Sequence, residues 1–281
     1  MTSPVPQTLG LIAGNGRLPF LLAEAARARG VNLATVAIKE ETDPALAQSV
    51  DRIAWFHVGQ LTDMIAFLKS AGCKDVVMAG QLRLRHVFGD WEALKADPLV
   101  LEQLALMADR RGESILGAIA DVLEKSGLNL REATLLLDDH LARPGALTKR
   151  ELSEDERENV SFGWRMAKVI SDLAIGQTVI VKRRAVVAVE AAEGTDAAIR
   201  RGGELGGEGT VVVKVSRPDQ DLRFDFPVIG PSTIEALVAA GALVLAMEAG
   251  KTLVIDRDEI CRLADDAGIA IVALDGPPGK G

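Results

Sequence analysis

Short apolar segments alternate along most of this chain with segments whose apolar residues recur at helical spacing. An apolar run such as 9–13 or 75–79 is short enough to predict a buried strand, and a segment such as 61–70 predicts an amphipathic helix. Because the two kinds alternate, the first half of the chain is predicted to be a Rossmann-like domain, a parallel sheet with flanking helices. The predicted strands are 9–13, 32–38, 53–56, 75–79 and 134–137, and the predicted helices are 19–28, 61–70, 97–106 and 113–125.

The second half continues the alternation and is predicted to be an α/β domain with a mixed sheet. Its predicted strands are 177–181, 185–189, 210–215, 243–246, 252–255 and 269–274, and its helices are 153–174, a short one up to 201, 232–240 and 258–267. The first two of these strands form either a hairpin or one long bent strand. The glycine-rich stretch 202–209 lacks the lysine of a phosphate-binding loop and is interpreted as a mobile connection. The charged stretch 143–153 is taken as the boundary between two domains, 1–145 and 146–281.

Composition narrows the classes of partner and compartment. The 281 residues carry a formal net charge of −8, and the isoelectric point is about 5.1. This charge excludes the broad basic surface that nucleic-acid binding requires, so an anionic ligand has to be held by local cations. Cys73 and Cys261 lie far apart without metal-ligand spacing, and residues 1–6 lack the features of a secretion signal. The expectation is a cytoplasmic α/β protein, with peripheral membrane contact left open.

The first glycine turn follows the first predicted strand. Gly14, Asn15 and Gly16 precede a helix with Pro19 near its first turn. The free N–H groups at such a helix start can hold a phosphate. Since the third glycine of the dinucleotide-binding fingerprint is absent, a tight structural turn is an equal alternative.

Two further polar groups stand at predicted strand ends. Gly80 and Gln81 follow the strand 75–79 and are expected at the same edge of the sheet as the first glycine turn. Asp138 follows the strand predicted at 134–137 and is a candidate for contacts with a ribose or a base. A polar turn without a ligand explains Asp138 equally well.

A third polar segment, 190–196, stands between a strand and a helix. Its last two residues, Thr195 and Asp196, are candidates for binding a metal or a phosphate. Both residue types are also common helix caps, so the two interpretations stay open.

The stretch 217–231 has the densest charge pattern, between the predicted strand 210–215 and the helix 232–240. If it is extended, its charged residues share one face and its apolar residues share the other. The charged residues are Asp219, Asp221, Arg223 and Asp225, and the apolar residues are Leu222, Phe224 and Phe226. Carboxylates beside cations suit a hard metal ion with an anionic ligand. An amphipathic edge strand with a solvated salt-bridge ladder is the alternative.

Catalysis by aspartate or glutamate carboxylates is the kind of chemistry that remains after the other catalytic residue types are considered. His57, His86 and His140 do not occur in pairs at metal-ligand spacing, and no serine or cysteine nucleophile motif is present. A Mg²⁺-type ion on aspartates can orient a water molecule at phosphorus while lysine and arginine neutralise the phosphates. The cations available around the central stretch are Lys182, Lys214, Arg217 and Arg223.

Three motifs carry a resemblance to a known family. The first is the run LIAGNGRLP at 11–19, and the second is Glu190-x-x-Glu193-Gly194-Thr195-Asp196. The third is Lys214-Val215-x-x-Pro218-x-Gln220-Asp221-x-Arg223-Phe224-Asp225-x-Pro227-x-Ile229-Gly230. Together they resemble the LpxI family, the UDP-2,3-diacylglucosamine pyrophosphatases of lipid A biosynthesis. The similarity extends over nearly the whole chain, and the two later motifs are specific.

The resemblance implies two α/β domains with the substrate in the cleft between them. It also implies Mg²⁺-dependent hydrolysis of UDP-2,3-diacylglucosamine to UMP and 2,3-diacylglucosamine 1-phosphate (lipid X), with water attacking the β-phosphorus. Asp225 corresponds to the family's essential aspartate, as a metal ligand or general base. Asp221 is expected as a second metal ligand, and Asp196 is expected to help with the metal or the water. Lys214 and Arg223 are expected to stabilise phosphate charge.

The resemblance further implies that the two glycine loops hold the UDP end of the substrate. The substrate-binding residues expected in all are Gly14, Asn15, Gly16, Gly80, Gln81, Asp138, Lys182 and Thr195. Two other functions remain as alternatives, a non-catalytic nucleotide-sugar sensor and a hydrolase of another nucleotide diphosphate. The lipid substrate makes the inner face of the inner membrane the expected place of any peripheral contact.

Overall fold

The computed structural model describes residues 6–82, 97–99, 101–102, 112–217, 220–224 and 226–277. His86, Asp219, Asp225 and most of the predicted helix 97–106 lie outside these residues. The described chain forms two compact units. The first comprises the described residues up to Asp138 together with 221–224, and the second comprises 139–217, 220 and 226–277. The domain limits 1–145 and 146–281 stay a prediction.

A five-stranded parallel sheet forms the centre of the first unit. Its strands are β1 (Thr8–Ala13), β2 (Asn32–Ile38), β3 (Arg52–Phe56), β4 (Asp75–Ala79) and β5 (Asn129–Arg131). Their order is β3-β2-β1-β4-β5, and every neighbouring pair is parallel. The order reverses between β1 and β4, and ligands of open parallel sheets bind at the carboxyl ends beside such a reversal. The strands predicted up to residue 79 are confirmed. β5 is too short to be recognised from its pattern.

Helices pack on the sheet of the first unit. They are α1 (Leu18–Ala28), α2 (Leu61–Ser70), α3 (Gly112–Lys125) and α4 (Thr134–Leu137), with 3₁₀ turns at Pro44–Gln48 and Asp138–His140. Leu68 of α2 and Leu123 of α3 are fully buried in one apolar cluster with Val36 and Val76 of the sheet. Full burial of each such side chain contributes about 1.5–3 kcal/mol, so this cluster fixes the sheet that carries the strand ends.

The strand predicted at 134–137 is wrong, because these residues form the single helical turn α4. The Leu135 N–H donates to the Glu132 carbonyl at 3.0 Å, and the Leu136 N–H donates to the Ala133 carbonyl at 3.3 Å. Leu136 and Leu137 are both buried. A short run of consecutive leucines has no period, so its pattern fits a buried strand and a buried helical turn equally well.

A six-stranded mixed sheet forms the centre of the second unit. Its strands are β6 (Gly145–Ala146), β7 (Thr178–Lys182), β8 (Ala185–Val189), β9 (Thr210–Lys214), β11 (Ala242–Glu248) and β13 (Ala270–Leu274). Their order is β6-β13-β11-β9-β7-β8, with β13, β11 and β9 parallel and the other pairs antiparallel. Two short strands, β10 (Val228–Ile229) and β12 (Leu253–Val254), pair separately in parallel. The predicted mixed sheet is confirmed.

Helices cover both faces of this second sheet. They are α5 (Glu154–Asp172), α6 (Thr195–Gly206), α7 (Pro231–Ala239) and α8 (Arg257–Asp266). On one face Trp164 of α5 is buried with Val213 of β9. On the other, Ile199 of α6 and Leu237 of α7 are buried with Leu245 of β11. Among the helices of the described residues, none is long and apolar enough to cross a bilayer.

The glycine-rich stretch 202–209 is in part helical, so its interpretation as a mobile connection is wrong. Helix α6 continues to Gly206 and buries Gly202 and Gly203. A Cβ on Gly202 would lie 2.7 Å from Ile180 Cγ2, and one on Gly203 would lie 2.5 Å from the Ala240 carbonyl oxygen. These glycines allow α6 to approach its neighbours closely, which outweighs their low helix propensity.

The two strands 178–182 and 185–189 form a hairpin, which decides between the alternatives left open by the sequence. Arg183 and Arg184 make its turn with φ of 50° and 58°. Positive φ at both central residues is the geometry of the hairpin turn that matches strand twist.

Candidate functional site

The loops after β1 and β4 are joined by backbone hydrogen bonds at the carboxyl edge of the first sheet. The Gly14 N–H donates to the Ala79 carbonyl at 2.8 Å. The Asn15 N–H donates to the Gln81 carbonyl at 2.9 Å, and the Gln81 N–H donates back to the Asn15 carbonyl at 3.1 Å. The structure therefore brings the two predicted loops together, as the parallel order of their strands requires.

Gly14 and Gly80 are glycines because these two loops touch. A Cβ on Gly14 would lie 2.5 Å from the Gln81 carbonyl oxygen, and one on Gly80 would lie 2.5 Å from the Asn15 carbonyl oxygen. Gly80 also has a φ of 95°. Gly16 differs, since its φ is 90° but nothing lies within 4 Å of a Cβ placed there. The binding of UDP by these loops stays a prediction, whereas the contact between them accounts for two of the glycines.

Side chains from the loop after β2 complete this edge. Asn15 Nδ2 donates to Glu41 Oε2 at 2.6 Å. Thr42 Oγ1 donates to the Ala13 carbonyl at 2.6 Å, and Glu41 and Thr42 are both buried. The amide group of Asn15 is thus held by a buried carboxylate. The sequence analysis did not identify Glu41, whose position two residues before Asp43 in a polar loop gives no separate signal.

Asp138 lies on a 3₁₀ turn rather than at a strand end, so the strand-end argument for a ribose contact is wrong. Its Oδ1 accepts a hydrogen bond from Arg29 Nη2 at 2.7 Å. Arg29 Nη1 also donates to the Leu135 carbonyl, at 2.9 Å. Arg29 therefore joins the end of α1 to the turn after α4, and this surface ion pair is the contact that the structure assigns to Asp138.

Residues 221–224 form a turn that belongs to the first unit. The Phe224 N–H donates to the Asp221 carbonyl at 3.3 Å, and the Phe224 ring packs against the core cluster of that unit. The extended segment with one charged face is thus wrong for these residues, because a turn brings the side chains of Asp221 and Arg223 against each other. From the sequence, both residues were predicted to lie in the second domain, 146–281.

Arg223 donates hydrogen bonds to both carboxylate oxygens of Asp221. Its Nε donates to Asp221 Oδ1 at 2.9 Å and its Nη2 to Oδ2 at 2.6 Å. Arg223 Nη1 donates to Glu124 of α3 as well. The Arg223 hydrogen bonds are the main reason that the pKa of Asp221 is lowered, against a smaller opposing effect of burial. The bond to Asp221 likewise raises the pKa of Arg223 above its usual range.

These contacts bear on the predicted metal site. Within the described ranges, no three His, Cys, Asp or Glu side chains stand close enough together to hold a metal ion. Asp221 is ionised, yet its oxygens already accept hydrogen bonds from a cation. Asp225, the other expected ligand, lies outside the described residues. The described side chains therefore do not by themselves assemble a ligand set for Mg²⁺.

In the second unit, a buried lysine stands at the carboxyl end of β9. Lys214 Nζ donates to Thr195 Oγ1 at 2.7 Å, and Thr195 Oγ1 donates to Glu190 Oε1 at 2.7 Å. Lys214 Nζ lies 4.0 Å from Glu190 Oε2, and the lysine side chain is 6% exposed. The sequence predicted Lys214 and Thr195 as site residues, and the structure brings them together.

The helix start beside Lys214 favours negative charge. Thr195 is the first residue of α6, and Gly194 before it has a φ of 84° and no side chain to cap the helix. The partial positive charge of the helix N-terminus adds to that of the ammonium group. Glu190 offsets part of this positive charge, since its Oε2 lies 4.0 Å from Lys214 Nζ. The lysine therefore has a partner when no anion is bound.

Asp196 lies in the first turn of α6 but faces a different neighbour. Its Oδ2 accepts a hydrogen bond from Ser232 Oγ at 3.0 Å, and Ser232 belongs to the first turn of α7. The N-terminal turns of the two helices are therefore linked through Asp196. Its expected part in binding a metal or a water stays a prediction.

Lys182 lies at the opposite edge of the sheet from Lys214. In the antiparallel register of β7 and β9, Thr178 is paired with Lys214 and Val181 with Val211. Lys182 Nζ donates to the carbonyls of Gly206 at 2.6 Å and Glu208 at 2.7 Å. It thus satisfies the carbonyl end of α6, a capping contact typical of a lysine at a helix C-terminus.

A second charged cluster at the carboxyl edge was missed by the sequence analysis. Lys168 Nζ donates to Glu248 Oε2 at 2.6 Å and to the Ser216 carbonyl at 2.9 Å. Glu248 Oε2 also accepts from the Ser216 N–H at 2.9 Å and from Ser216 Oγ at 3.0 Å. The available signals were a lysine on the apolar side of α5 and a glutamate closing an apolar strand.

The pKa of Glu248 is lowered in this cluster. Burial is the largest single influence and raises the pKa, but the hydrogen bonds from Lys168 and Ser216 together outweigh it. Glu248 is therefore a buried carboxylate, kept ionised by a lysine and by the first residues after β9.

The fold is that of a two-unit α/β protein, and in both units polar side chains gather where parallel strands end, the usual position of ligand sites in such sheets. Family models match the chain in two parts, the LpxI N-terminal domain over residues 8–140 and the LpxI C-terminal domain over residues 143–272. The UDP-2,3-diacylglucosamine pyrophosphatase LpxI of Caulobacter vibrioides is 32% identical over 280 residues, which cover 95% of this chain and 97% of that protein. The chain therefore belongs to the LpxI family.

Similarity to solved structures is weak. The ADP complex of N5-carboxyaminoimidazole ribonucleotide synthetase gives a TM-score of 0.28 at 15% identity, over 85% of this chain and 45% of that one. The biotin carboxylase domain of a thermophilic 2-oxoglutarate carboxylase gives 0.28 at 10% identity, over 62% of this chain and 34% of that one. Likenesses at this level do not bear on the function.

Proposed function

We propose that this protein hydrolyses the pyrophosphate bond of UDP-2,3-diacylglucosamine to UMP and lipid X in lipid A biosynthesis. The observation that carries the proposal is the similarity to the Caulobacter vibrioides pyrophosphatase, which is 32% identical and covers 95% of this chain. Both halves of the chain match the family models, so the resemblance does not rest on a single shared domain.

The cluster at the carboxyl end of β9 supports phosphate chemistry. Lys214 is buried beside the N-terminus of α6, and both features attract a phosphate. A phosphate oxygen that displaces the Thr195 hydroxyl from the ammonium group leaves Thr195 bonded to Glu190. In this proposal Lys214 and the backbone N–H of Thr195 at the start of α6 hold the pyrophosphate, and Arg223 is a second cation.

The first unit holds the uridine nucleotide in this proposal. Its sheet has the order β3-β2-β1-β4-β5, and the loops carrying Asn15 and Gln81 lie beside the reversal of that order between β1 and β4. Gly16 leaves space at the start of α1 for a ligand to approach the backbone. The binding of the substrate in a cleft between two domains stays a prediction.

Water is the nucleophile in the proposed reaction, and Asp225 acts as a metal ligand or general base. A water oxygen bonds to the β-phosphorus while the bond from that phosphorus to the bridging oxygen breaks and UMP leaves. Mg²⁺ neutralises phosphate charge when it is bound. The proposed enzyme is cytoplasmic. Because its substrate carries acyl chains, the proposal includes peripheral contact of the enzyme with the inner face of the inner membrane.

The test is hydrolysis of UDP-2,3-diacylglucosamine by the purified protein in ¹⁸O-labelled water, with Mg²⁺ and with a chelator. The expected result is metal-dependent release of UMP with the label in lipid X. Label in UMP would overturn the site of attack but keep the substrate. Turnover that persists in the chelator would overturn the metal requirement.

The variant Asp225→Ala is expected to lose turnover while it still binds the substrate, with circular dichroism as the control for folding. Tight binding without turnover by the wild-type protein would instead identify a nucleotide-sugar sensor. A panel of other nucleotide diphosphates, run with the same assay, tests the remaining alternative.

A further inference from the structure

The residue two positions beyond the end of β9, a strand inside the sheet of the second unit, is held by several hydrogen bonds. Ser216, two residues beyond Lys214, is fully buried. Its N–H, hydroxyl and carbonyl all bond to the pair formed by Lys168 and Glu248. Because Ser216 is fully buried, each of its three polar groups needs a partner, and the pair formed by Lys168 and Glu248 supplies all three.

The pair that holds Ser216 is costly to bury. Glu248 is 9% exposed and Lys168 is 30% exposed, and their ammonium and carboxylate groups are 2.6 Å apart. A buried ion pair often gives no more stability than apolar residues of similar volume, so stability alone is a weak explanation for it. Lys168 Nζ also lies over the Trp164 ring, 5.9 Å from the ring centroid. Lys168 Nζ and Glu248 Oε2 are thus held towards Ser216, while Glu248 Oε1 lies 3.3 Å from Lys251 Nζ.

The segment that begins at Ser216 carries the family motif. Along the chain it runs through Asp221 and Arg223 to Asp225, and residues 221–224 are grouped with the first unit. Ser216 is therefore a fixed point at the start of a segment that leaves the sheet of the second unit. A fixed start limits the positions that the following residues can reach.

We infer that Lys168 and Glu248 are positioning residues for the reaction, acting through Ser216 on the segment 217–225. This inference rests on the proposed function. Neither side chain touches the substrate; the pair fixes where the segment starts. Displacement of reacting groups by about 1 Å can lower a rate by about 100-fold, so loss of this anchor is expected to act on kcat rather than on substrate binding.

The chain offers a closely matched control in the pair formed by Arg150 and Glu156. Glu156 Oε1 accepts from Arg150 Nη2 at 2.5 Å, and Glu156 Oε2 accepts from the Ser153 N–H at 2.8 Å. The side chains of Arg150 and Glu156 are 32% and 12% exposed, close to the values of the first pair. This control pair caps the start of α5 and has no contact with Ser216 among the described bonds.

The experiment compares Glu248→Ala, Glu248→Gln and Glu156→Ala in the full chain, at a temperature where all three are folded. Glu248→Ala is expected to lower kcat by about 10- to 100-fold with KM changed by less than about threefold. Glu248→Gln keeps an acceptor for the Ser216 N–H and is expected to restore most of that loss. Glu156→Ala is expected to lower the melting temperature as much as Glu248→Ala does, with kcat close to wild type.

Hydrogen exchange over residues 217–224 supplies a second measurement that does not need turnover. Faster exchange in Glu248→Ala but not in Glu156→Ala is expected. Equal exchange in all variants, or an equal fall of kcat in both alanine variants, would overturn the inference and leave the pair a purely structural one. An inactive wild-type protein would overturn the proposed function instead, while the exchange comparison would still test the anchor.

Discussion

The two sheets of this protein end in edges of different chemistry. At the carboxyl edge of the first sheet, the loops of Asn15 and Gln81 bond through their backbones, and the contact depends on Gly14 and Gly80. At the corresponding edge of the second sheet, buried charged side chains replace the backbone contacts, with Lys214 as the central cation. The backbone contact at the edge of the first sheet determines the shape of that edge. The buried charged side chains at the edge of the second sheet determine which sign of ligand charge that edge favours.

The largest effect is expected at the charged edge. Lys214→Met removes the buried cation beside the N-terminus of α6 and is expected to lower kcat by about 100- to 1000-fold. Lys182→Met is the comparison at the other end of the same helix. It removes a cap from two carbonyls and is expected to cost about 1–2 kcal/mol of unfolding free energy. Steady-state kinetics and urea unfolding of both variants separate the two effects, and equal losses of kcat would contradict the division between the two ends of α6.

Substitutions at the contact between the two loops of the first sheet are expected to lower the free energy of unfolding. Gly80→Ala combines positive φ with a Cβ 2.5 Å from the Asn15 carbonyl oxygen, and is expected to cost about 3 kcal/mol. Gly72→Ala is the matched control, since its φ is 79° but nothing lies within 4 Å of its Cβ. It is expected to cost about 1 kcal/mol, from strain alone. Urea unfolding checks both values, and equal costs would show that the two loops do not need their close contact.

A smaller effect is expected inside α6, which carries the charged edge. Alanine normally stabilises a helix relative to glycine by about 1 kcal/mol. Gly203→Ala is expected to reverse that sign and cost about 1–3 kcal/mol, because its Cβ would lie 2.5 Å from the Ala240 carbonyl oxygen. Gly117→Ala in α3 meets nothing within 4 Å and is expected to be stabilising. Thermal unfolding of both variants is the measurement, and stabilisation by Gly203→Ala would contradict the tight packing of α6.

The smallest effect concerns the pH dependence of stability at the charged edge. The pKa of Glu248 is lowered in the folded protein from its ordinary value of 4.5, so the unfolded chain binds more protons as the pH falls. The stability that Glu248 contributes is therefore complete above pH 4.5 and is lost as the pH falls through the lower, folded pKa. Glu248→Gln is expected to be less stable than wild type at neutral pH, with the gap narrowing below pH 4.5. Urea midpoints measured across this range test the expectation, which a gap independent of pH would contradict.

Much of the fold follows from local pattern. Buried strands such as 75–79 are apolar and short, and helices such as 61–70 show one apolar face, so both were recognisable. Prediction was wrong where apolar residues followed one another without a helical or strand period. It was also wrong where glycine residues could indicate either a mobile loop or close packing. The leucines at 135–137 fit a strand or a helical turn, and the glycines at 202 and 203 suggested mobility but serve close packing.

The candidate site was only partly predictable. Lys214 and Thr195 were identified because they belong to a motif, and the glycine loops because they follow strands. Lys168 and Glu248 were not identified, since they lie on separate elements and meet only after the sheet and α5 have packed. The pairing of Asp221 with Arg223 agrees with the salt-bridge alternative for this stretch, but it forms in a turn where an extended segment had been predicted.

The class of fold, most of the strands and helices, and the family follow from the amino-acid sequence alone, because these depend on hydrophobic period and on residues close together along the chain. Which charges meet depends on the tertiary structure. A buried or half-buried lysine needs a partner, and the chain supplies partners from 19 residues away for the buried Lys214 and 80 residues away for the half-buried Lys168. Sequence spacing carries no record of such encounters, since they are fixed by the packing of helices on the sheet.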